Sequence, residues 1–172
     1  MFDVALFGLG RIGIMHAEHI SLHPKFNLKY VFDTNKKLSI QAAKKFNSTN
    51  INNPLKAFVD RNIDLVFIAS STPTHLSFIT KAAKYKKIIF CEKPIDLNIK
   101  KVVKCRKNIK KYNPRIQIGF NRRFDPGHHS LKESLAKGKI GRLEKIIITS
   151  RDPAPPTLKY LRASGGIYRD MT

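Results

Sequence analysis

The stretch Gly8-Leu9-Gly10-Arg11-Ile12-Gly13 follows the apolar run Phe2–Phe7 and opens a segment with helical spacing, Arg11–His23. A G-x-G-x-x-G string alone is a weak signal, but one that joins a strand to a helix is typical of a Rossmann domain. Asp33 stands twenty residues after the last glycine, at the end of a second predicted strand. The sequence therefore predicts a βαβ unit built around this glycine loop.

The residue types in the loop suit the binding of a dinucleotide. Gly8 permits a tight turn, Gly10 lets a pyrophosphate approach the backbone, and Gly13 lets the helix pack closely on the strand. The helix N-terminus, at Arg11 and Ile12, offers N–H groups and a positive dipole to the phosphates. We expect these five residues to contact the cofactor.

Asp33 is expected to accept hydrogen bonds from the hydroxyls of the adenosine ribose. A carboxylate at this place repels a 2′-phosphate, so NAD is favoured as the cofactor over NADP. Lys36 and Lys37 lie just beyond and could accept such a phosphate, but Asp33 is the better placed group.

Strand and helix patterns alternate over the first ~120 residues. Strands are also predicted at Leu28–Phe32, Asn50–Ile51, Ile63–Ala69, Lys87–Cys91 and Ile116–Phe120, and helices at Lys36–Phe46, Pro54–Asp60, Thr74–Tyr85 and Asn98–Tyr112. Such alternation indicates an α/β fold, a Rossmann-type doubly wound parallel sheet with right-handed crossovers.

The pattern changes near residue 121, where we place a domain boundary. A helix is predicted at Pro126–Lys137 and a strand at Leu143–Ser150, which is rich in β-branched residues. We interpret residues 1–122 as an NAD-binding Rossmann domain. Residues 123–172 are interpreted as the start of a truncated α+β domain for substrate binding and oligomerisation.

The chain is strongly basic, with 33 Lys and Arg against 12 Asp and Glu in 172 residues and a formal charge of +21. The basic residues are spread along the chain, which favours the codon bias of an AT-rich genome over specific nucleic-acid binding. The densest cluster lies on the predicted helix Asn98–Tyr112, whose apolar face is predicted to be Ile99, Val102, Val103 and Ile109. The cluster is therefore interpreted as the solvated side of that helix.

Other features of the chain favour the cytoplasm. We find no apolar run long enough to cross a membrane and no secretory signal. Cys91 and Cys105 have neither a disulfide pattern nor a zinc spacing, so both are predicted to be buried structural thiols, and no metal site is predicted.

Two further motifs follow strands, at the edge where open α/β sheets bind ligands. In the first, Ser70 and Thr72 are expected to contact the cofactor, with Thr72 and Pro73 forming a turn beside the nicotinamide. His75 is either a cofactor contact or a surface or capping histidine.

The second motif is Cys91-Glu92-Lys93-Pro94. Glu92 and Lys93 are either site residues or a surface ion pair, and an ammonium here could hold a substrate hydroxyl. Pro94 allows a cis peptide bond, although trans is the commoner form and is expected.

These motifs together resemble the Gfo/Idh/MocA oxidoreductases. The glycine loop, Ser-Thr-Pro-Thr-His at 71–75 and Glu-Lys-Pro at 92–94 carry the resemblance, which continues through 119–125, 150–153 and 165–172. The later motifs look most like those of inositol 2-dehydrogenases, which oxidise a ring hydroxyl of myo-inositol with NAD. The resemblance implies a polyol substrate, no membrane or specific nucleic-acid partner, and a homo-oligomer for the full-length family.

The resemblance also implies roles for individual residues. Lys93 would be the active-site lysine, in contact with the reacting hydroxyl and the nicotinamide ribose. Asn121 and Arg122 would line the substrate pocket, with Asn121 standing where inositol dehydrogenases often have an apolar residue. Asp152 would hydrogen-bond substrate hydroxyls, and Asp170 would contact the substrate and orient the catalytic base.

In the family that base is a histidine a few residues after the position of Asp170. None of the six histidines in the sequence matches this position. We therefore expect NAD binding with little or no turnover from these 172 residues. A catalytically inactive NAD-binding fragment and, less favoured, a basic nucleic-acid-binding protein are the alternatives.

Overall fold

The computed structural model describes residues 1–151, 154, 155, 157, 158, 161, 164 and 166. The chain divides into two compact units, Met1–Ile118 and Gly119–Thr172. No helix in the described ranges is long and apolar enough to cross a membrane.

The first unit contains a six-stranded parallel sheet in the order β3-β2-β1-β4-β5-β6. Its strands are β1 (Phe2–Phe7), β2 (Phe26–Phe32), β3 (Thr49–Asn50), β4 (Leu65–Ile68), β5 (Ile88–Cys91) and β6 (Ile116–Ile118). Its helices are α1 (Arg11–Leu22), α2 (Lys36–Lys45), α3 (Leu55–Val59), α4 (Thr72–Lys84) and α5 (Ile99–Ile109). This strand order is that of a doubly wound Rossmann sheet, and the predicted fold class is confirmed.

Helices cover both faces of the sheet, so its central strands are apolar throughout. Along β1, Val4 and Leu6 point to the face packed by α1 and α2, whereas Ala5 and Phe7 point to the face packed by α3, α4 and α5. All four side chains are fully buried. The continuous run of apolar residues therefore fixes β1 at the centre of the sheet and places the glycine loop at its carboxyl end.

The apolar face predicted for α5 is partly wrong. Ile109 is buried and Val102 is partly buried, but Ile99 and Val103 are 71% and 45% exposed. These two side chains line a shallow groove with Lys100, Lys104 and Lys107. The helix packs through Val102, Cys105 and Ile109, which are three and four residues apart and so share a face, whereas Val103 lies one residue off this stripe and Ile99 in the first turn stays exposed.

The two cysteines differ in their surroundings. Cys91 is buried in β5, and burial raises the pKa of its thiol to about 12. A thiol that keeps its proton is unreactive, so the prediction of a structural cysteine is confirmed at this position. Cys105, on the packed stripe of α5, is only partly buried.

A charged network lies at the loop before β4, away from the glycine loop. The Asn62 N–H donates to the Asp60 carboxylate and holds the pKa of that group below its usual value, while burial acts in the opposite direction. The Tyr30 hydroxyl also donates to Asp60, and the Lys29 ammonium lies 3.5 Å from it. Burial lowers the pKa of Lys87, whose ammonium donates to two backbone carbonyls. These groups tie β2, β4 and β5 together and are a structural network.

The second unit begins with a 3₁₀ turn, Asn121–Phe124, followed by α6 (Pro126–Ala136). Asp125 caps α6 by accepting the His128 N–H at 2.9 Å, and Pro126 occupies the first turn, where its missing N–H costs nothing. The predicted helix at Pro126–Lys137 is confirmed.

The predicted strand at Leu143–Ser150 is wrong. This segment has no regular secondary structure, and its apolar side chains are exposed: Leu143 by 47%, Ile146 by 61%, Ile147 by 76% and Ile148 by 78%. A strand requires hydrogen bonds to a neighbouring strand, and in the described part of the second unit the segment has none. The β-branched residues favour an extended backbone, but this local preference does not form a strand without a neighbouring strand to pair with.

Candidate functional site

The three loop glycines differ in the space that surrounds them. Gly8 has a φ of +91°, and a β-carbon there would overlap the backbone of Ser70 at the end of β4. A β-carbon on Gly13 would overlap the carbonyl group of Gly8. At Gly10, by contrast, a β-carbon would meet nothing within 4 Å. Gly8 and Gly13 therefore pack the loop together, whereas the open space is at Gly10.

This open space lies at the N-terminus of α1. Gly10 is the cap residue and supplies no side-chain acceptor, and the first turn of α1 contains no acidic residue. The first N–H groups of a helix have no partner within the helix, so those at Arg11 and Ile12 are suited to bind an anion. The residues present therefore fit a pyrophosphate at this point.

Asp33 joins the end of β2 to the glycine loop. One of its carboxylate oxygens accepts the Leu9 N–H at 2.7 Å, and the other accepts the Asn35 N–H at 2.7 Å. The oxygen that accepts the Leu9 N–H has a further lone pair with which it can accept a ribose hydroxyl, whereas the other also lies 3.5 Å from the Thr34 hydroxyl. The fold thus holds Asp33 in a fixed orientation beside the loop, as dinucleotide binding requires.

The motif after β4 begins α4 directly. The helix starts at Thr72, so Thr72 and Pro73 form its first turn, and the separate turn predicted for them is wrong. Proline favours this position because its φ is already helical and its missing N–H has no partner to lose. The Ser70 hydroxyl lies 2.6 Å from that of Thr74, which fixes the end of β4 against the helix.

His75 connects two strand ends from inside the fold. Its ring is 1% exposed, so the interpretation as a surface or capping histidine is wrong. Nδ1 lies 2.8 Å from the carbonyl oxygen of Pro94, and Nε2 lies 2.8 Å from that of Ser70. A polar contact between this ring and a cofactor would have to displace one of the two carbonyl groups, since each ring nitrogen faces one of them.

Replacing His75 by leucine is expected to remove the N–H donor that the buried ring offers to one of these two carbonyl groups. Each unsatisfied buried carbonyl costs about 1–3 kcal/mol, so the urea midpoint followed by circular dichroism should fall. His75→Gln, which keeps one donor, should lose less. Equal stability of the leucine variant and the wild-type chain would show that the histidine does not hold these carbonyls.

The motif after β5 contains a cis peptide bond between Lys93 and Pro94, so the expected trans form is wrong. The preference for the trans form is much smaller for X–Pro bonds than for other peptide bonds, so the surrounding fold can select the cis form here. Glu92 continues the sheet, because its N–H donates to the Ile68 carbonyl at 2.8 Å. The motif therefore stands at the carboxyl end of β5, directly beside that of β4.

The Glu92 carboxylate accepts two hydrogen bonds. His16 on α1 donates through Nε2 at 2.7 Å, and the Lys93 N–H donates to the other oxygen at 3.2 Å. Glu92 is thus paired with a histidine of the dinucleotide helix, a partner that the sequence reasoning missed. One feature of the sequence could have indicated this partner: His16 directly precedes Ala17, a buried residue of α1.

The remaining predicted site residues lie outside the first unit. Asn121 and Arg122 are exposed in the 3₁₀ turn, and the Arg122 guanidinium donates to the Ser150 hydroxyl at 3.3 Å. Asp152 and Asp170 lie outside the described residues.

The glycine loop leaves open space at the N-terminus of α1, and Asp33 is fixed beside it at the end of β2. These features define a dinucleotide-binding Rossmann domain. Residues 2–120 match the family described as an oxidoreductase family with an NAD-binding Rossmann fold. The chain belongs to this Gfo/Idh/MocA family, so the resemblance found in the sequence is confirmed, and its first unit is an NAD-binding domain.

The chain is also similar to individual dehydrogenases. It is 40% identical to the myo-inositol 2-dehydrogenase of Thermotoga maritima over 98% of this chain and 51% of that protein. A putative myo-inositol dehydrogenase from Sinorhizobium meliloti superposes with a TM-score of 0.92 at 36% identity, over 99% of this chain and 52% of the other. A scyllo-inositol dehydrogenase from Lactobacillus casei, solved with NAD(H) and scyllo-inositol, gives a TM-score of 0.77 at 30% identity, over 82% and 42%. The chain spans about half the length of the relatives it matches.

Proposed function

We propose that this chain is the cofactor-binding half of an NAD-dependent inositol 2-dehydrogenase, which removes hydride from a ring hydroxyl carbon of a cyclitol. The observation that carries the proposal is the joining of four strand ends, those of β1, β2, β4 and β5, at one edge of the sheet. Direct hydrogen bonds link Asp33 to the glycine loop, and His75 and His16 link the Lys93 motif to β4 and α1. Relatives named as inositol dehydrogenases support the substrate class.

Each part of this edge has a role in binding the cofactor. The N-terminus of α1 would hold the pyrophosphate, and Asp33 would hold the adenosine ribose and disfavour a 2′-phosphate. The loop after β4, with Ser70, and the motif with Lys93 would lie along the nicotinamide half. When bound, NAD⁺ supplies the acceptor for the hydride.

Lys93 is proposed to hold the reacting hydroxyl and the nicotinamide ribose. An ammonium that donates to the hydroxyl oxygen orients the C–H bond toward the cofactor and stabilises negative charge as the hydroxyl proton leaves. Asn121, Arg122, Asp152 and Asp170 are proposed to bind the other hydroxyl groups. Residues 1–122 would thus bind the cofactor and residues 123–172 would begin the substrate domain, with a homo-oligomer proposed for the full-length protein.

Steady-state assay of the 172-residue chain with NAD⁺ and myo-inositol tests this proposal. The resemblance implies a histidine base a few residues after Asp170, beyond the 172 residues assayed, and loss of general-base catalysis costs roughly 10²–10⁴-fold. We expect saturable NADH binding together with turnover reduced at least by that factor from that of a full-length relative assayed in parallel. Turnover equal to that of the relative would contradict the assignment of the base. Lack of NADH binding by the folded chain would contradict the function itself.

A further inference from the structure

His16 lies on α1 between the cofactor loop and the Lys93 motif. Its ring packs against two phenylalanines of the sheet, with centroids 4.7 Å from Phe67 and 5.5 Å from Phe90. These contacts aim Nε2 at Glu92, to which it donates at 2.7 Å. The histidine is 13% exposed and the glutamate 19%, so this charge-assisted bond is largely shielded from water.

The other oxygen of the Glu92 carboxylate accepts the backbone N–H of Lys93. A carboxylate held at one oxygen by a packed ring presents its second oxygen in a fixed place. The position of the Lys93 backbone therefore depends on His16, which acts on it through the Glu92 carboxylate. Because His16 also belongs to the helix whose N-terminus faces the pyrophosphate site, one rigid element connects both ends of the cofactor site.

We propose that His16 is a positioning residue that fixes Lys93 through Glu92, and so sets the place of its ammonium relative to a cofactor bound on α1. The inference rests on the proposed function for the role of Lys93. No catalytic role is assigned to His16 itself.

Amide hydrogen exchange measured by NMR on the whole chain, without cofactor, tests the relay directly. His16→Phe keeps the packing against the two phenylalanines but removes the donor, whereas His16→Gln keeps an N–H donor. In the phenylalanine variant the Lys93 amide should exchange about tenfold faster, because its acceptor is no longer held in place. The glutamine variant should restore most of the protection.

The Ile89 amide, which donates to the Arg115 carbonyl inside the sheet at 2.9 Å, is the internal control and should not change. Unchanged exchange of Lys93 in His16→Phe would overturn the proposal. Equal acceleration at Lys93 and Ile89 would also overturn it, because His16 would then only support the fold.

A second readout measures the consequence for the cofactor site. Acylation of Lys93 by acetic anhydride, followed by mass spectrometry, should be slowed by NADH in the wild-type chain and in His16→Gln. The protection should be smaller in His16→Phe by a factor of about 5, because a displaced ammonium meets the cofactor poorly. Lys107, exposed on α5, serves as the control lysine. If NADH failed to bind the wild-type chain, the proposed function would fail, while the exchange experiment would still decide the role of His16.

Discussion

Replacing Gly13 by alanine is expected to lower the free energy of unfolding of the first unit by about 3 kcal/mol or more. The added methyl group would overlap the Gly8 carbonyl, so α1 would have to move away from β1. The overlap is with backbone, which cannot rotate aside as a side chain can. Urea unfolding followed by circular dichroism measures the loss, and NADH binding should disappear with it.

Gly10→Ala is the matched control, because the same methyl group there meets nothing within 4 Å and the backbone conformation suits alanine. We expect its stability to equal that of the wild-type chain or exceed it by about 0.4–1 kcal/mol. Its affinity for NADH should nevertheless fall at least about tenfold, because the methyl group occupies the space for the pyrophosphate. A stable Gly13→Ala would refute the close packing of α1. A Gly10→Ala variant with normal NADH binding would place the phosphates elsewhere.

Asp33→Ala is expected to weaken NADH binding by about 10–100-fold, the range for hydrogen bonds to a charged group. The carboxylate would be lost as an acceptor for the ribose and as the anchor of Leu9 in the loop. NADPH binding should fall less, because the repulsion of its 2′-phosphate is removed at the same time. Parallel fluorescence titrations with NADH and NADPH give the ratio of the two dissociation constants, which measures the cofactor preference.

Two controls separate charge from shape in this experiment. Asp33→Asn keeps the side-chain shape and one acceptor, which can still hold the Leu9 N–H of the loop while the acceptor for the Asn35 N–H is lost, so it should reduce the preference for NADH with less damage to the loop than Asp33→Ala. Glu18→Gln removes a negative charge from an exposed position on α1 and should leave the ratio unchanged. An unaltered ratio in Asp33→Ala would show that Asp33 does not select the cofactor.

Much of the first unit could be predicted from the sequence because its signals are local. The glycine loop fixes a strand–helix turn, and Asn98 caps α5 by accepting N–H groups only two and three residues further on, those of Lys100 and Lys101. Runs of buried residues such as β1 likewise need no partner to be recognised.

The sequence could not give contacts that depend on distant partners. His16 and Glu92 are 76 positions apart, and His75 reaches Pro94 across 19 positions, so no local pattern distinguishes these histidines from surface ones. The side of α5 that packs against the sheet also depends on the elements around the helix. The sequence therefore predicts Ile99 on the buried face, whereas it is exposed. The predicted strand at 143–150 failed for the same reason, because a strand forms only when a second segment lies beside it to share hydrogen bonds.

The most direct test of the central claim is a titration of the 172-residue chain with NADH, followed by the fluorescence of the cofactor. Circular dichroism on the same sample establishes that the chain is folded. We expect saturable binding of one NADH per chain, weaker binding of NADPH, and NADH affinity at least about tenfold lower in Gly10→Ala. A folded chain that binds no NADH up to about 1 mM would contradict the assignment of the glycine loop and Asp33 as a cofactor site.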